Sequence, residues 1–217
     1  MRKAMVLCLA LLSTYGWSDV AQVNVWSPYP GKGAETYQNA MQAKVIHEKL
    51  GASVTISQDQ DLNILYVVVF KDWSDYGKFF DAMNSSQEWQ VFWQKISAEG
   101  AAELIQTFTL NNPVVAEAKP VSMVYSWDVD AGRTPDFISV CEGAMPIHKR
   151  LGASPGINID ELGDVHYELT FDSWEAWGNF AMKSATDEEW NAYFAKANEN
   201  PIATLTKVWR LNVMQQE

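Results

Sequence analysis

The sequence is poor in cysteine, in histidine and in positive charge. Of its 217 residues only 2 are Cys and 3 are His, and 16 Lys and Arg stand against 27 Asp and Glu, a formal net charge of −11. An acidic surface repels phosphate backbones and anionic lipid headgroups, and no Lys/Arg cluster offsets this repulsion. The sequence therefore predicts no nucleic-acid partner.

Glycine and proline are also scarce. The chain has 12 Gly and 8 Pro, an apolar fraction of 47% and a charged fraction of 20%. These values exclude a collagen-like or low-complexity chain and are those of an ordinary globular protein. Tryptophan is the exception, because 10 indole rings must each be covered by a core, an interface or a ligand.

The N-terminus has the pattern of a secretory signal peptide. Met1-Arg2-Lys3 precedes an apolar run at 4–12, which is too short to span a bilayer. We expect 1–18 to be a signal peptide, cleaved between 18 and 21, and the mature protein to be periplasmic or secreted, without stable membrane insertion. A buried N-terminal strand or helix is the alternative. Cys8 falls inside this segment, so the exported chain would keep only Cys141 and have no internal disulfide.

An internal repeat organises the rest of the chain. At an offset of 101 residues, Ile-His-Glu-Lys-Leu-Gly-Ala-Ser at 46–53 faces Ile-His-Lys-Arg-Leu-Gly-Ala-Ser at 147–154. Four further residues recur at the same offset, Phe70, Trp73, Gly77 and Phe79 as Phe171, Trp174, Gly178 and Phe180. This repetition predicts two units, 22–111 and 121–214, joined by a linker at 112–120 that contains Pro113 and Pro120.

Both repeats have the same predicted order of elements, β-α-β-β-α-β, which is a ferredoxin-like unit. In the first we expect strands at 23–27, 53–57, 62–70 and 104–110 and helices at 34–50, 73–83 and 86–98. In the second we expect strands at 123–127, 156–159, 165–171 and 205–211 and helices at 135–151, 174–183 and 187–198. Ser86 and Asp187 are suitable N-caps. One such sheet leaves a bare face, and a second copy would cover it to form an α+β barrel within one chain.

The two repeats resemble the dimeric α+β-barrel superfamily, which includes antibiotic-biosynthesis-monooxygenase-like, EthD-like and NIPSNAP-like proteins. The resemblance rests on a helix ending in His-x-x-Leu-Gly-Ala and on the pattern Phe-x-x-Trp-x-x-aromatic-Gly-x-Phe, and it covers about 22–214 in element order. Most members build the barrel from two chains, so the resemblance implies that this chain is a monomeric pseudo-dimer or a homodimer of such chains. No motif selects one catalytic family.

The repeated aromatic residues and the repeated histidines have structural interpretations. Tryptophans at helical spacing, such as Trp73 and Trp89, favour packing between helix and sheet. His47 and His148 precede the end of their helices by one turn, where each could satisfy a carbonyl group and interact with the helix dipole. A metal site is the alternative, but no further ligand recurs at suitable spacing, so we predict neither a metal nor a cofactor.

The long central strand differs between the repeats on one face. The first repeat has Leu65, Val67 and Val69 there, and the second has His166, Glu168 and Thr170. In the ferredoxin-like order this face points into the barrel, so His166 and Glu168 would lie side by side within hydrogen-bonding range. By the same alternation we expect Arg210 and Thr206 of the last strand and Ser126 of the first strand to face inward.

These residues form the candidate site, a cavity with an apolar wall from repeat one and a polar wall from repeat two. His166 would act as a general base tuned by Glu168, and Arg210 would bind a developing anion. Thr170, Ser126 and Thr206 would contact the ligand. The alternative is an exposed face or a structural ion-pair network.

Three functions remain open. The first is an exported protein that binds a small, partly apolar molecule without turnover. The second is a cofactor-independent monooxygenase-like or isomerase-like enzyme. The third is a barrel filled by side chains that acts through its acidic surface. A cavity of about 300 Å³ or more would favour a ligand.

Overall fold

A computed structural model describes residues 19–214, except for the side chain of Glu99. The strands are β1 Val20–Pro28, β2 Ser53–Gln58, β3 Ile64–Phe70, β4 Ala102–Val114, β5 Val121–Val129, β6 Ser154–Asp160, β7 Val165–Phe171 and β8 Ala203–Val213. The helices are α1 Gly33–Lys49, α2 Trp73–Ser85, α3 Gln87–Glu99, α4 Thr134–Leu151, α5 Trp174–Thr186 and α6 Glu188–Ala197. The expected signal peptide at 1–18 lies outside the described residues.

The eight strands form one closed antiparallel barrel in the order β1-β3-β2-β8-β5-β7-β6-β4. Within each repeat the order is the ferredoxin-like one, with the first and third strands in the middle. The predicted α+β fold of two tandem ferredoxin-like repeats is therefore confirmed. The halves meet at two seams, β2 with β8 and β4 with β6.

Local sequence signals set the ends of the helices. Ser86 and Asp187 cap α3 and α6 as predicted, since their side chains accept hydrogen bonds from the N–H groups of Trp89 and Trp190. Gly152, which caps the C-terminus of α4, has a φ of 108° in the left-handed region where glycine is favoured. Strand β4 continues to Val114 and so runs past the expected start of the linker at 112.

The alternation in β3 and β7 directs apolar side chains to both layers of the structure. Ile64, Tyr66, Val68 and Phe70 pack under the helices of repeat one, and Val165, Tyr167, Leu169 and Phe171 do so in repeat two. A third cluster lies between the two sheets and contains Val23, Val25, Leu65, Trp209 and Leu211. The interior of the barrel and the space under the helices are thus both packed with apolar side chains.

Two hydrogen bonds recur between the repeats and explain much of the duplicated sequence. The hydroxyl of Tyr66 lies 2.9 Å from Nδ1 of His47, and the pair of Tyr167 and His148 has the same separation. Trp73 donates to Asn111 over 3.0 Å. In repeat two Trp174 donates to Asn212 over 2.7 Å.

The repeated histidines are core residues and are uncharged at neutral pH. Burial lowers the pKa of His47 and of His148 from 6.5 to about 4. Each ring lies against a tryptophan, with centroids 4.5 Å apart for His47 and Trp89 and 4.4 Å for His148 and Trp190. Their role at the helix end is therefore to hold a buried tyrosine hydroxyl, and the expected favourable effect of the helix dipole on a charged ring does not apply.

Side chains complete the hydrogen bonding where the seams between the halves are short. Strand β2 pairs with β8 at only two positions. Beyond them, Oε1 of Gln60 accepts from the backbone N–H of Arg210 over 2.9 Å. At the other seam, Oε1 of Glu161 accepts from the N–H of Thr109 over 2.8 Å. The two contacts are equivalent in the two repeats, because Gln60 and Glu161 are 101 residues apart and so are Thr109 and Arg210.

Removal of the Glu161 side chain should weaken the seam between β4 and β6. In Glu161→Ala the N–H of Thr109 loses its acceptor, and we expect the free energy of unfolding to fall by about 1 kcal/mol. Glu161→Gln keeps an acceptor oxygen and should stay close to wild type. Urea unfolding followed by circular dichroism measures both, and equal midpoints for the two variants would show that the contact does not stabilise the seam.

The two buried histidines should make the protein less stable in mild acid. Between pH 6.5 and 4 the unfolded chain binds protons that the folded histidines exclude, so the free energy of unfolding falls as the pH drops through this window. The loss from pH 7 to pH 5 should be about 2 kcal/mol for each histidine. In His148→Gln the fall measured by urea unfolding should be smaller by that amount, and an unchanged slope would contradict the assignment.

Candidate functional site

A cavity of about 430 Å³ lies inside the barrel, and we call it the barrel cavity. Repeat one lines it mainly with apolar side chains, which include Val23, Leu65, Val67, Val69, Phe108 and Leu110, and also contributes Thr55 and Ser57. Repeat two contributes Ser122, Asn158, His166, Glu168, Thr170, Trp209 and Leu211. The cavity is thus apolar on one side and mostly polar on the other.

The segment between the repeats forms one end of the cavity. Residues 115–120 line it, and the hydroxyl of Thr170 donates to the backbone oxygen of Glu117 over 2.7 Å. Lys119 is largely covered, with 16% of its side chain exposed, and pairs with Asp172 at 3.2 Å and with Glu117 at 3.6 Å. The linker is therefore fastened to the barrel by a hydrogen bond and by ion pairs.

Glu168 lies at the middle of the polar wall. In the register of β5 and β7 it is opposite Val124, between the pairs Ser126–His166 and Ser122–Thr170. The hydroxyl of Ser122 donates to its Oε1 over 2.6 Å. Burial raises the pKa of Glu168, while hydrogen bonds from Ser122 and Asn158 oppose this shift without cancelling it.

His166 is held by two groups, and neither of them is Glu168. Its Nδ1 lies 2.8 Å from the hydroxyl of Ser126, and its Nε2 lies 3.3 Å from Oδ2 of Asp160. The ring stacks on Phe108 with centroids 5.6 Å apart. Burial alone would raise the pKa of Asp160, but hydrogen bonds from His166 and from two backbone N–H groups lower it overall. Both ring nitrogens are therefore occupied, which leaves His166 poorly placed to take a proton from a ligand.

Ser126, His166 and Asp160 form a hydrogen-bonded row that resembles a nucleophile, a base and an acid. Ser126 is only 6% exposed and is not among the residues that line the barrel cavity. Its hydroxyl also accepts from the indole N–H of Trp209 over 3.2 Å. A substrate in the cavity cannot reach this oxygen, so the row positions His166 and does not supply a nucleophile.

The structure does not bring Arg210 and Thr206 to the other candidate residues, and their expected inward placement is wrong. On β8 the inward side chains are Trp209, Leu211 and Val213, so Arg210 lies on the outer, helix-side face and is exposed. Thr206 is also exposed and donates to the backbone oxygen of Ser126 over 3.0 Å. The error arises because Trp209, Leu211 and Val213 line the cavity, so the apolar residues of this strand mark its inner face and not the helix side.

A second cavity of about 240 Å³, the helix–sheet pocket, lies in repeat one between the sheet and the helices. Its lining residues include Gln22, Asn24, Thr36, His47, Phe80, Met83, Trp89 and Trp93. This pocket was not predicted from the sequence, although a comparison of equivalent positions in the two repeats indicates it. At the positions of Gln22, Asn24 and Thr36, repeat two has the larger Met123, Tyr125 and Phe137, and these three pack against the core of that repeat.

His47 gives the helix–sheet pocket one polar feature. The residue is 6% exposed, and its Nε2 is buried without a hydrogen-bond partner among the described residues. An unpaired buried nitrogen costs free energy that a hydroxyl group in the pocket would recover. Its pKa of about 4 keeps the ring neutral and makes it a weak base, so the pocket suits binding better than proton transfer.

Within residues 19–214 no group of three or more His, Cys, Asp or Glu is arranged to hold a metal ion. In the same part of the chain no helix is long and apolar enough to cross a membrane. Cys141 is buried, and burial raises the pKa of its thiol to about 12. This thiol is therefore an unreactive part of the core.

Similar structures are found among proteins with very different sequences. A candidate monooxygenase of Fusobacterium nucleatum superposes with a TM-score of 0.65 at 10% identity, over 91% of this chain and 93% of that chain. A candidate monooxygenase of Lactobacillus acidophilus gives 0.65 at 10% identity, over 90% and 94%. An anthrone oxidase-like protein gives 0.62 at 12% identity, over 91% and 92%.

No protein-family model matches the sequence, and neither does any curated protein sequence. The structural likeness extends over nearly the whole length of both partners, so it concerns the complete two-repeat barrel and not one ferredoxin-like half. At 8–12% identity a shared fold does not carry over an activity. The likeness therefore shows the fold alone, an α+β barrel built from two ferredoxin-like repeats, as the resemblance in the sequence implies.

Proposed function

We propose that the protein binds a small, partly apolar molecule in the barrel cavity. The observation that carries this proposal is the cavity itself, about 430 Å³ with an aliphatic wall opposite a wall of hydrogen-bonding groups. Cavities of about 300–1,000 Å³ with a few polar groups are typical of sites for small ligands. A barrel closed only for stability would gain more from filling this space with side chains.

The polar wall supports binding because its groups are already oriented. Ser122 fixes Glu168, and Ser126 and Asp160 fix both nitrogens of His166. Thr170 is fixed by its bond to the linker. These side chains are therefore ordered before a ligand binds, so binding loses less conformational entropy.

We also propose that the protein acts after export, in the periplasm or outside the cell. The basic and apolar pattern at residues 1–12 supports this part of the proposal. Edman sequencing of the protein recovered from its native compartment tests it. A mature N-terminus between 19 and 22 is expected, and a chain that retains residues 1–18 would contradict export by this signal.

Benzyl alcohol is a suitable probe of the barrel cavity, and methyl NMR of the full chain shows where it binds. We expect shifts of the Val67 and Val69 methyl groups and a Kd in about the millimolar range, as for a fragment of this size. Val67→Phe fills the cavity and should weaken binding at least tenfold. The matched control is Val91→Phe, because Val91 is 60% exposed on α3 and lies outside both cavities.

The same spectrum distinguishes the two cavities. A shift of the Met83 methyl group without shifts of Val67 and Val69 would place the ligand in the helix–sheet pocket, where the buried Nε2 of His47 favours a hydroxyl. That result would overturn the proposed location. If none of these three methyl groups shifts, the proposal of a ligand-binding barrel is wrong.

An enzyme that moves a proton is the second candidate function, and Glu168 is the observation that favours it. This carboxyl group lines the cavity, is oriented by Ser122 and has a raised pKa. Such a carboxylate can take a proton from carbon next to a carbonyl group and return it elsewhere, as in an isomerase-like reaction. The candidate monooxygenases among the structural neighbours are compatible with chemistry on this fold.

The enzyme hypothesis predicts that the protein exchanges the α-protons of 2-indanone with D2O, which proton NMR follows directly. Glu168→Gln should slow the exchange by about 100-fold or more, as expected for loss of a general base. Arg210→Gln should leave the rate unchanged because Arg210 lies outside the cavity. Exchange no faster than in buffer, or an equal loss in both variants, would rule out proton transfer by Glu168.

A further inference from the structure

The charged groups of the barrel cavity restrict the ligand more than its volume does. Four residues that line it are ionisable: Glu117, Lys119, His166 and Glu168. Their partners decide which of these charges a ligand can use. The class of ligand inferred below depends on the proposed function, because it is the class of molecule that would bind in the same cavity.

The positive groups of the cavity are already paired. Lys119 has two carboxylate partners, Asp172 at 3.2 Å and Glu117 at 3.6 Å. Nε2 of His166 lies 3.3 Å from Oδ2 of Asp160, so a carboxylate already neighbours this ring. Arg210 lies on the outer face of β8. Among the described residues that line the cavity, none offers an unmatched positive charge to a ligand.

The negative charge of Glu168 has no such partner. The hydrogen bonds to its carboxylate come from Ser122 and Asn158, both of which are neutral. Val124, Thr170 and His166 flank it on the cavity wall, and β3 contributes the aliphatic side chains of Leu65, Val67 and Val69 to the cavity. A carboxylate in these surroundings is stabilised by dipoles alone, so a cation beside it would gain a strong, poorly screened attraction.

The net charge of the whole protein also favours a cationic ligand. With a formal net charge of −11 the protein attracts cations and repels anions before they reach the cavity. The aliphatic wall formed by Leu65, Val67 and Val69 requires that the rest of the molecule be apolar. A carboxylate or phosphate would have to enter against the field and would find no free cationic side chain.

We infer that the ligand of the barrel cavity is a small amine with an apolar body, bound with its ammonium group at Glu168 and its hydrocarbon part against Leu65, Val67 and Val69. This assignment reverses the expectation from the sequence, in which Arg210 would have selected an anion.

Three molecules of equal size test the inference on the full chain: benzylamine, benzyl alcohol and benzoate at pH 7 and low salt. The methyl shifts of Val67 and Val69 report binding. We expect benzylamine to bind at least fivefold more tightly than benzyl alcohol, and benzoate to bind most weakly. Because this comparison uses the wild-type protein, it does not depend on whether a variant folds.

Glu168→Gln should reduce the affinity for benzylamine to that which the same variant has for benzyl alcohol. Glu103→Gln is the matched control, because Glu103 is an exposed carboxylate of β4 outside the cavity. It removes the same net charge and should change benzylamine binding less than twofold.

The outcomes separate the inference from the proposed function. If benzyl alcohol binds but benzylamine is no tighter, or if benzoate is tightest, the ligand class is wrong and the binding site stands. An equal loss of benzylamine affinity in Glu168→Gln and Glu103→Gln would show that only the net charge matters, and this too overturns the inference. If none of the three shifts the cavity methyl groups, the proposed function also fails.

Discussion

Closure of the barrel is the constraint on which the other features of this protein depend. A single ferredoxin-like sheet carries helices on one face and would expose the other to water. Joining two sheets edge to edge buries that second face, but it also requires each seam to satisfy its backbone groups. The short pairing of β2 with β8 is therefore supplemented by Gln60, and that of β4 with β6 by Glu161.

Duplication separates the residues that maintain the fold from those that distinguish its two halves. The His–Tyr and Trp–Asn hydrogen bonds occur once in each repeat, at equivalent positions. The polar residues His166 and Glu168 belong to one repeat only, since Leu65 and Val67 stand at the equivalent positions of the other. A group kept in both copies serves packing that both copies need, whereas a group present in one copy is free to serve a site.

The fold could be predicted from the sequence because several signals agreed. The offset of 101 residues, the cap residues Ser86 and Asp187, and the alternation in the central strands all indicate the same unit. Strands β1 and β4 are longer than expected, because pairing with their neighbouring strands extends β1 to Val20 and β4 to Val114. That pairing depends on the partner strand, and the residues of one strand alone do not reveal it.

The candidate site was less predictable, for two physical reasons. Trp209, Leu211 and Val213 of β8 line the cavity, so this strand carries apolar side chains on its inner face, and their pattern alone does not show that Arg210 lies on the outer face. The partner of a polar side chain is set by rotamers and by neighbouring strands. Asp160, which lies on β6, therefore holds His166 where the sequence suggested Glu168 from the same strand.

The arrangement of the histidines bears on whether the protein is a catalyst. His47 and His148 each share a hydrogen bond with a tyrosine hydroxyl inside the core. Both ring nitrogens of His166 lie within hydrogen-bonding distance of a side chain, Ser126 on one side and Asp160 on the other. A general base needs a free lone pair and a pKa near the working pH, and burial has moved the pKa of the first two to about 4. Glu168 is a carboxyl group that lines the cavity, and burial raises its pKa. The same carboxylate cannot at once hold an ammonium group and act as a free base, so binding of an amine and proton transfer exclude each other at this residue, and the charge of the true ligand decides between them.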